Sequence, residues 1–312
     1  MMTIEDPSRL AWQSRIFVAG HSGLIGTALV KALIARGHTS VITADRAAVD
    51  LTNQHVVEQF FERTQPEYVV LAAGRCVSAC EEARIPAYVL RDHLTIQANV
   101  IDSAYSFGAR KLIMLATHSI AQPAAADRVA EEARLLDVAK AAGLRMCAAY
   151  RQQFGFKAAT AVLPTIYGPH DRFSASRPDS IAGYMYALST AQLRGDTSVY
   201  LYGRPEDTID LLHADDLANA LVWLLEDDTL GTVVFVPPAA TITLAELGKK
   251  LAEIIGYEGE IRFDDDHRLT VAMLPECGPH LGVRGWRPLI GLNQGLAETY
   301  AWFVANQQNL RL

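Results

Sequence analysis

The chain is poor in cysteine, has no long hydrophobic run and carries no excess of positive charge. Four cysteines in 312 residues are too few for a disulfide scaffold. Cys76 and Cys80 lie one helical turn apart, but no second pair or histidine cluster accompanies them, so we expect reduced thiols and no metal site. No apolar run is long enough to span a bilayer, and residues 1–13 lack the apolar core of a secretory signal. The net charge of −7 argues against nucleic-acid binding. We therefore expect a cytoplasmic protein with neither a nucleic-acid nor a membrane partner.

An early stretch of the chain combines an apolar segment, three glycines and the beginning of a helix. Residues 16–19 predict a buried strand, Gly20, Gly23 and Gly26 follow at the spacing GxxGxxG, and residues 27–36 have the periodicity of an amphipathic helix. This order is typical of a dinucleotide site: Gly20 permits a sharp turn, Gly23 leaves room for a pyrophosphate, and Gly26 lets helix and strand pack closely. The free N–H groups of the helix N-terminus favour phosphate binding. The predicted cofactor-binding residues of this stretch are Gly20, His21, Ser22, Gly23, Leu24, Ile25 and Gly26.

A second group of predicted cofactor contacts follows further along the chain. Residues 40–44 predict a strand, and Asp45 and Arg46 come directly after it, where folds of this kind contact the adenosine ribose. An acid suits the 2′-hydroxyl of NAD and an arginine suits the 2′-phosphate of NADP, so this pair leaves the choice open. Small residues at the end of the next predicted strand let a cofactor lie close to the sheet. The predicted contacts of this group are Asp45, Arg46, Leu51, Ala72, Ala73 and Gly74.

Strands and helices alternate regularly through the first half of the chain. Predicted strands cover residues 40–44, 68–73, 111–116 and 159–163, and predicted helices cover residues 54–64, 86–107 and 127–153. This alternation predicts an α/β fold with a doubly wound parallel sheet, a Rossmann domain over residues 1–165. Residues 166–312 predict a smaller α/β substrate lobe, and we allow for the chain to cross back between the two. The predicted helices of this half lie at 181–194, 217–225, 247–255 and 292–306, and its strands at 199–202, 233–236 and 261–263.

Several motifs along the whole chain resemble those of one enzyme family. The matching stretches are residues 17–26, 71–73, 167–171, 212–216, 256–257 and 300–307. They resemble the extended short-chain dehydrogenases/reductases, which form the NAD-dependent epimerase/dehydratase family, and among these most closely the GDP-L-fucose synthases. The resemblance implies an enzyme that epimerises two carbons of GDP-4-keto-6-deoxymannose and reduces its ketone with NADPH. It also implies a homodimer that associates through the two helices predicted at 86–107 and 127–153.

The resemblance also implies a set of catalytic residues, of which this chain keeps a part. The family uses a serine or threonine, a Tyr-x-x-x-Lys pair, a cysteine and a histidine. Thr117 and Lys140 match the hydroxyl and the lysine, but Leu136 stands at the tyrosine position, and no lysine in the chain has a tyrosine four residues before it. Ser119 falls at the cysteine position and Asp179 at the histidine position. The implied catalytic residues are therefore Thr117, Ser119, Lys140 and Asp179, and Lys140 is also expected to hold the nicotinamide ribose.

The residues around the missing tyrosine also have interpretations other than catalysis. Asp137 lies one turn before Lys140 and is predicted to pair with that lysine or with solvent. Alternation along the strand predicts that His118 points away from Thr117. Other polar residues are predicted to have structural roles, in packing, local hydrogen bonds or the start of a helix: Tyr105, Tyr150, Tyr184, His170, Asp171, His213 and Asp215.

Two hypotheses about function stay open. The first is an NAD(P)-dependent epimerase or reductase with altered acid/base residues, acting on a nucleotide-sugar or a related polar metabolite. The second is a catalytically impaired pseudoenzyme that binds a dinucleotide and regulates or scaffolds a partner, because loss of a general acid costs about 10²–10⁴-fold in rate. Ser22 stands where fucose synthases often carry an arginine, but Arg46 remains available for a 2′-phosphate. The sequence therefore slightly favours NADP(H) over NAD(H).

Overall fold

The computed structural model describes residues 10–74, 79–121, 134–229, 231–264 and 281–307. The strands are β1 (Ile16–Ala19), β2 (Val41–Ile42), β3 (Tyr68–Leu71), β4 (Lys111–Thr117), β5 (Lys157–Leu163), β6 (Thr165–Tyr167), β7 (Ser198–Tyr202), β8 (Thr208–His213), β9 (Val233–Phe235), β10 (Ala240–Thr243) and β11 (Glu260–Asp264). The helices are α1 (Leu24–Ala35), α2 (Gln54–Thr64), α3 (Ala79–Arg84), α4 (Pro86–Ser106), α5 (Leu135–Phe154), α6 (Ile181–Arg194), α7 (Ala214–Glu226), α8 (Leu244–Ile255) and α9 (Leu292–Asn306). Short 3-10 turns cover His118–Ala121 and Leu281–Arg284. None of the helices within these ranges is long and apolar enough to cross a membrane.

The central sheet has six strands in the order β2-β1-β3-β4-β5-β9. Every neighbouring pair in it is parallel, which confirms the predicted doubly wound sheet. All residues of β1 and β3 are buried, because helices cover both faces of a parallel sheet. The chain reverses its direction of strand addition between β1 and β3. Ligands of such sheets bind in the crevice at the carboxyl ends of the strands at this point.

Helices pack on both faces of the sheet and fix its carboxyl edge. On one face α1 packs against α7, with Leu29 and Leu217 in their shared core. On the other face α4 packs against α2 and α5. Gly143 on α5 lets α4 approach closely, since a Cβ at that position would lie 1.6 Å from Gln97 Oε1. The position of α5, which carries Lys140, is therefore set by close contact with α4.

The second half of the chain builds a smaller lobe and also returns to the large sheet. Its sheets are β10-β8-β6 and β11-β7, and α6, α8 and α9 surround a separate core that includes Tyr184, Leu188 and Leu247. The strand β9 belongs to this half but pairs with β5 of the large sheet. The chain thus crosses back between the two halves, and a division at residue 165 stays a prediction.

The helices predicted at 54–64, 181–194 and 292–306 have those bounds in the structure. The strand predicted at 40–44 is limited to Val41–Ile42, an edge strand that pairs with β1 on one side. For the helix predicted at 127–153, residues 127–133 lie outside the described residues, as does Cys76. The sequence did not predict β6, β8 and β10, because these short strands are stabilised by pairing with segments far away in the chain.

Candidate functional site

The three glycines after β1 form a tightly packed turn with one open position. A Cβ on Gly20 would lie 2.8 Å from the Cα of Ala73, and a Cβ on Gly26 would lie 2.1 Å from Gly20 O. Gly20 also has a φ of +90°, which L side chains rarely adopt. A Cβ on Gly23, by contrast, would meet only Gly20 O, at 3.5 Å. Gly20 and Gly26 therefore close the loop, while Gly23 leaves open space in front of α1.

The N-terminus of α1 has features that favour an anion. Gly23 precedes the helix without a side-chain cap, and the first turn of α1 contains no acidic residue. The first N–H groups of a helix have no partner within it, and the helix dipole favours negative charge there. The hydroxyl of Thr27 donates to His21 O at 3.1 Å and fixes the loop. The open position and these N–H groups fit the pyrophosphate of a dinucleotide.

The segment after β2 lies next to the glycine-rich loop. His21 Nε2 is 3.3 Å from Asp45 Oδ1, so the structure brings the predicted ribose-binding acid to the loop. Arg46 is exposed beside it. The side-chain amide of Asn99, on α4, donates to Leu51 O at 2.9 Å and holds this segment against the domain.

The end of β3 forms the next part of the predicted cofactor edge. Ala72 N donates to Ala19 O at 3.0 Å, which keeps this edge beside β1. A Cβ on Gly74 would lie 2.4 Å from Cε1 of His93, a buried residue of α4. Small residues are needed here because the glycine-rich loop approaches from one side and His93 from the other. No sequence pattern indicated His93, which lies inside a long helix.

The helix α5 is anchored at its beginning by a carboxylate from α3. Leu135 N donates to Glu82 Oε1, and Arg134 Nε lies 3.5 Å from Glu82 Oε2. Glu82 is buried, and a negative charge at a helix N-terminus is stabilised by the helix dipole. Lys140 follows on the same helix and is also buried, with 8% of its surface exposed. Sequence patterns missed Glu82, because its partner helix begins 53 residues later in the chain.

Thr117, Ser119 and Asp137 form a closed triangle of hydrogen bonds. Thr117 Oγ1 and Ser119 Oγ are 2.7 Å apart. Both hydroxyls also contact the same carboxylate oxygen, Asp137 Oδ1, at 3.0 Å from Thr117 and 2.5 Å from Ser119. The prediction that Asp137 pairs with Lys140 or with solvent therefore missed its partners at the end of β4. The helix turns Asp137 towards the strand, where its carboxylate accepts from both hydroxyls.

The histidines near the site have structural environments. His118 Nδ1 lies 3.7 Å from Asp210 Oδ2 on β8, so its ring is directed towards β8, in keeping with the alternation along β4. His213 caps α7, because its Nδ1 accepts from Asp215 N at 3.3 Å. Burial lowers the pKa of His213, which keeps the ring neutral and Nδ1 free to accept. These observations agree with the structural roles expected for the histidines.

The tyrosines considered as packing residues are held by contacts of their own. Tyr105 stacks on Phe154 with ring centroids 4.3 Å apart. The hydroxyl of Tyr150 donates to Asp102, and burial raises the pKa of this phenol to about 12. The hydroxyl of Tyr184 donates to Tyr202 O in the lobe. Each of these side chains is therefore packed or hydrogen-bonded within the protein.

The loop between β6 and α6 contains the remaining predicted catalytic residue. Asp179 directly precedes Ser180, whose hydroxyl accepts from Gly183 N at 3.0 Å and caps α6. Earlier in the loop, Arg177 lies 3.1 Å from Asp171, and burial raises the pKa of Asp171. Asp179 thus belongs to the lobe, on a different element from the three residues at the end of β4 and on α5.

A metal centre has no ligand cluster in the ranges that the structure describes. Within those ranges no group of three or more histidine, cysteine, aspartate or glutamate side chains is placed to hold a metal ion.

Comparison with known proteins agrees with this arrangement. A model of the NAD dependent epimerase/dehydratase family matches residues 16–235. The chain is 33% identical over 306 residues to GDP-L-fucose synthase 1 of Arabidopsis thaliana, with 95% of each protein covered. It is 29% identical over 327 residues to the GDP-L-fucose synthase of Escherichia coli strain K12, covering 96% of this chain and 99% of that protein.

Solved structures share the fold over almost the whole chain. A GDP-6-OMe-4-keto-L-xylo-heptose reductase from C. jejuni is 25% identical and has a TM-score of 0.85, with 96% of this chain and 99% of that chain covered. A GDP-mannoheptose C4 reductase from Campylobacter jejuni with NADP bound is 27% identical, with a TM-score of 0.78 and 95% and 99% covered. The family match runs from β1 to β9 and includes the glycine-rich loop, Thr117 and Lys140. On this basis the chain belongs to the NAD-dependent epimerase/dehydratase family.

Proposed function

We propose that the chain is an NAD(P)-dependent epimerase/reductase of the GDP-L-fucose synthase type that acts on a nucleotide-sugar, with altered acid/base residues. The observation that carries this proposal is the shared edge of one sheet, which presents an open phosphate cradle at Gly23 together with hydroxyls at Thr117 and Ser119. The activities of relatives that match nearly the whole chain support a GDP-linked sugar as the substrate class.

The proposed roles follow from where the residues lie. When bound, a nicotinamide cofactor supplies or accepts a hydride. The N-terminus of α1 binds the pyrophosphate, and Lys140, buried on α5, holds the nicotinamide ribose. Thr117 and Ser119 hydrogen-bond the oxygen of the reacting carbon. Asp179, in the lobe, takes the place of the family's catalytic histidine. Replacing Lys140 with methionine should weaken cofactor binding, whereas Lys249→Met, at an exposed position of α8, should not.

NADP(H) is the proposed cofactor. The carboxylate of Asp45 is turned towards His21, while the exposed Arg46 is available to a 2′-phosphate. An Arg46→Ala change should weaken binding of NADPH and leave binding of NADH unchanged, as measured by fluorescence titration. Equal effects on the two cofactors would contradict this assignment.

A homodimer through α4 and α5 is also proposed. Both helices expose large apolar side chains: Tyr88 and Leu94 on α4, and Val138 and Phe154 on α5. Burial of such residues stabilises an interface. Sedimentation should show a dimer that dissociates in Leu94→Asp, and a monomeric wild-type protein would contradict the proposal. The cytoplasmic location stays a prediction.

The test of the proposed function combines binding with turnover. Fluorescence titration with NADPH and NADH measures cofactor binding, and GDP-4-keto-6-deoxymannose followed by a panel of nucleotide 4-keto sugars measures turnover. Oxidation of NADPH that depends on one of these sugars supports the enzyme. Cofactor binding without turnover on the whole panel would favour the alternative, a pseudoenzyme with a regulatory or scaffolding role.

A further inference from the structure

The site lacks the phenol that the family pattern places on α5, because Leu136 stands at the tyrosine position. The carboxylate of Asp137 follows it directly in the chain. Leu136 is half-buried and has no ionisable group. We propose that Asp137, the next residue, is the proton-relay residue of this site, and that it exchanges a proton with the substrate oxygen through the hydroxyls of Thr117 and Ser119. Asp137 has this role only if the site turns over a substrate, so the assignment rests on the proposed function.

The geometry of the triangle suits proton transfer. Both hydroxyls converge on the single oxygen Asp137 Oδ1 rather than on the two oxygens of the carboxylate. The Ser119 contact, at 2.5 Å, is a short hydrogen bond between a hydroxyl and the carboxyl group. The third side, 2.7 Å between Thr117 and Ser119, connects the two hydroxyls directly. A proton therefore has a continuous hydrogen-bonded route between all three groups.

The number of hydrogens in the triangle depends on the charge of Asp137. Each hydroxyl has one hydrogen to donate, and an ionised carboxylate has none. With Asp137 ionised, both hydrogens are drawn to Oδ1 and neither is directed at a substrate. With Asp137 neutral, three hydrogens serve three contacts, so one of them can be given to a substrate oxygen without loss of the other two. The charge of Asp137 thus decides whether the hydroxyls can donate outward.

The hydroxyl–carboxylate triangle is partly accessible and has other charged residues near it. Thr117, Ser119 and Asp137 are each half-buried, so a substrate can reach them while bulk water is limited. The elements packed around the start of α5 bring other titratable or charged residues to this region: Glu82, His93, His118, Arg134 and Lys140. A variant at Asp137 therefore has to be compared with the wild type under the same pH conditions.

The proton balance of the proposed step is complete. In ketone reduction a hydride, which a bound reduced nicotinamide would supply, adds to the carbonyl carbon, and the carbonyl oxygen becomes an alkoxide oxygen. One hydroxyl of the pair gives its proton to that oxygen and receives the proton of neutral Asp137. The products are the alcohol, an oxidised nicotinamide and the Asp137 carboxylate. In the opposite direction the carboxylate takes up the proton of the alcohol by the same route.

The first test compares Asp137→Asn with the wild type in NADPH oxidation driven by the nucleotide sugar. Asparagine keeps an oxygen that accepts from the hydroxyls but does not carry the proton. We expect kcat to fall about 10²–10⁴-fold, with KM and NADPH affinity within about threefold of the wild type. The matched control is Asp196→Asn, an exposed aspartate after α6, which should retain wild-type kinetics.

The second test needs no turnover and reports the hydrogen count directly. GDP-4-keto-6-deoxymannose labelled with ¹³C at the ketone is bound to the protein without cofactor, and its carbonyl stretch is recorded by infrared difference spectroscopy. In the wild type the stretch should lie at lower frequency than in Asp137→Asn at the same pH, because the proton shared within the triangle lets one hydroxyl donate to the ketone. In Asp137→Asn both hydroxyls remain directed at the amide oxygen, so the frequency should be higher. A residue that only held the strand and helix together would not produce this difference.

The outcomes separate the two proposals. Loss of kcat together with a higher carbonyl frequency in Asp137→Asn supports the relay. If Asp137→Asn turns over within about threefold of the wild type, or if its carbonyl frequency equals that of the wild type, the relay is overturned and the proposed function still stands. A wild-type protein that neither binds nor reduces any nucleotide sugar of the panel overturns both.

Discussion

The glycine-rich loop allows cofactor binding to be separated from stability by two single-methyl substitutions. At Gly23, an added Cβ would meet only Gly20 O, at the ordinary contact distance of 3.5 Å. Its φ of −83° suits any residue. Alanine is a poorer N-cap than glycine, but it also restricts the unfolded chain, so the net change in unfolding free energy should stay within about 1 kcal/mol.

The same methyl group should interfere with cofactor binding. It would occupy the open space in front of α1, where a pyrophosphate accepts hydrogen bonds from the helix N-terminus. Loss of one charge-assisted hydrogen bond removes about 1.5–3 kcal/mol, which corresponds to a roughly 10- to 150-fold weaker Kd. Fluorescence titration with NADPH measures this change, and urea unfolding measures stability.

Two further glycines supply the contrasting results. A Cβ on Gly26 would lie 2.1 Å from Gly20 O and 2.6 Å from the Cα of His21, so Gly26→Ala should lower the unfolding free energy by about 1–3 kcal/mol. Gly37 lies outside the loop with a φ of +88° and open space around it. Gly37→Ala should therefore lower stability by about 1–2 kcal/mol without changing the Kd for NADPH. A Gly23→Ala protein that binds NADPH within about threefold of the wild type would refute the placement of the pyrophosphate.

Three other predictions test the surroundings of the site. Burial lowers the pKa of His213 below its ordinary value of 6.5. As the pH falls, the imidazole of residue 213 therefore takes up a proton in the unfolded chain before it does so in the folded protein. The free energy of unfolding should decline below about pH 6.5, by at most about 1.4 kcal/mol per pH unit. His213→Asn keeps an N-cap acceptor but does not titrate, so its urea-unfolding free energy should depend less on pH, and an unchanged slope would contradict this role. Glu82→Ala removes the carboxylate at the start of α5, so it should lower the unfolding free energy by about 1.5–3 kcal/mol and weaken NADPH binding. The control is Glu253→Ala, at an exposed position of α8, which should change neither. Equal stability of the two variants would contradict the anchoring role of Glu82. Leu136→Tyr places a phenol four residues before Lys140. When it is combined with Asp137→Asn, we expect the double variant to recover turnover. A double variant as slow as Asp137→Asn alone would show that a phenol at position 136 cannot replace the carboxylate.

Local patterns were sufficient for several helices in both halves of the chain. The helices at 54–64, 181–194 and 292–306 begin and end where apolar periodicity and caps predict, because those signals act over a few residues. The strands of the lobe are different. Thr208–Leu211 pairs with β10, and Thr165–Tyr167 pairs with the end of β8, so these segments become strands through partners that no local window contains.

The glycine-rich turn before α1 was predictable from the sequence, whereas the hydroxyl–carboxylate triangle was not. Glycine spacing specifies a turn and a helix N-terminus, both of which are local. Asp137 is separated from Thr117 by 20 residues, and a helical position alone does not tell whether its side chain turns to the strand or to Lys140. Glu82 shows the same limit, because the helix it anchors begins far along the chain. The missing tyrosine was visible in the sequence, but the contacts that lead us to propose Asp137 in its place depend on the packing of α5 on β4.

The most direct test of the central claim is the absorbance of NADPH after addition of GDP-4-keto-6-deoxymannose or another nucleotide 4-keto sugar to the full-length protein. The account predicts that NADPH is oxidised in proportion to the sugar added. It also predicts that the rate falls in Asp137→Asn while NADPH affinity does not. A wild-type protein that binds NADPH but leaves it reduced with every sugar of the panel would contradict the account, because the site would then bind a cofactor without catalysing hydride transfer.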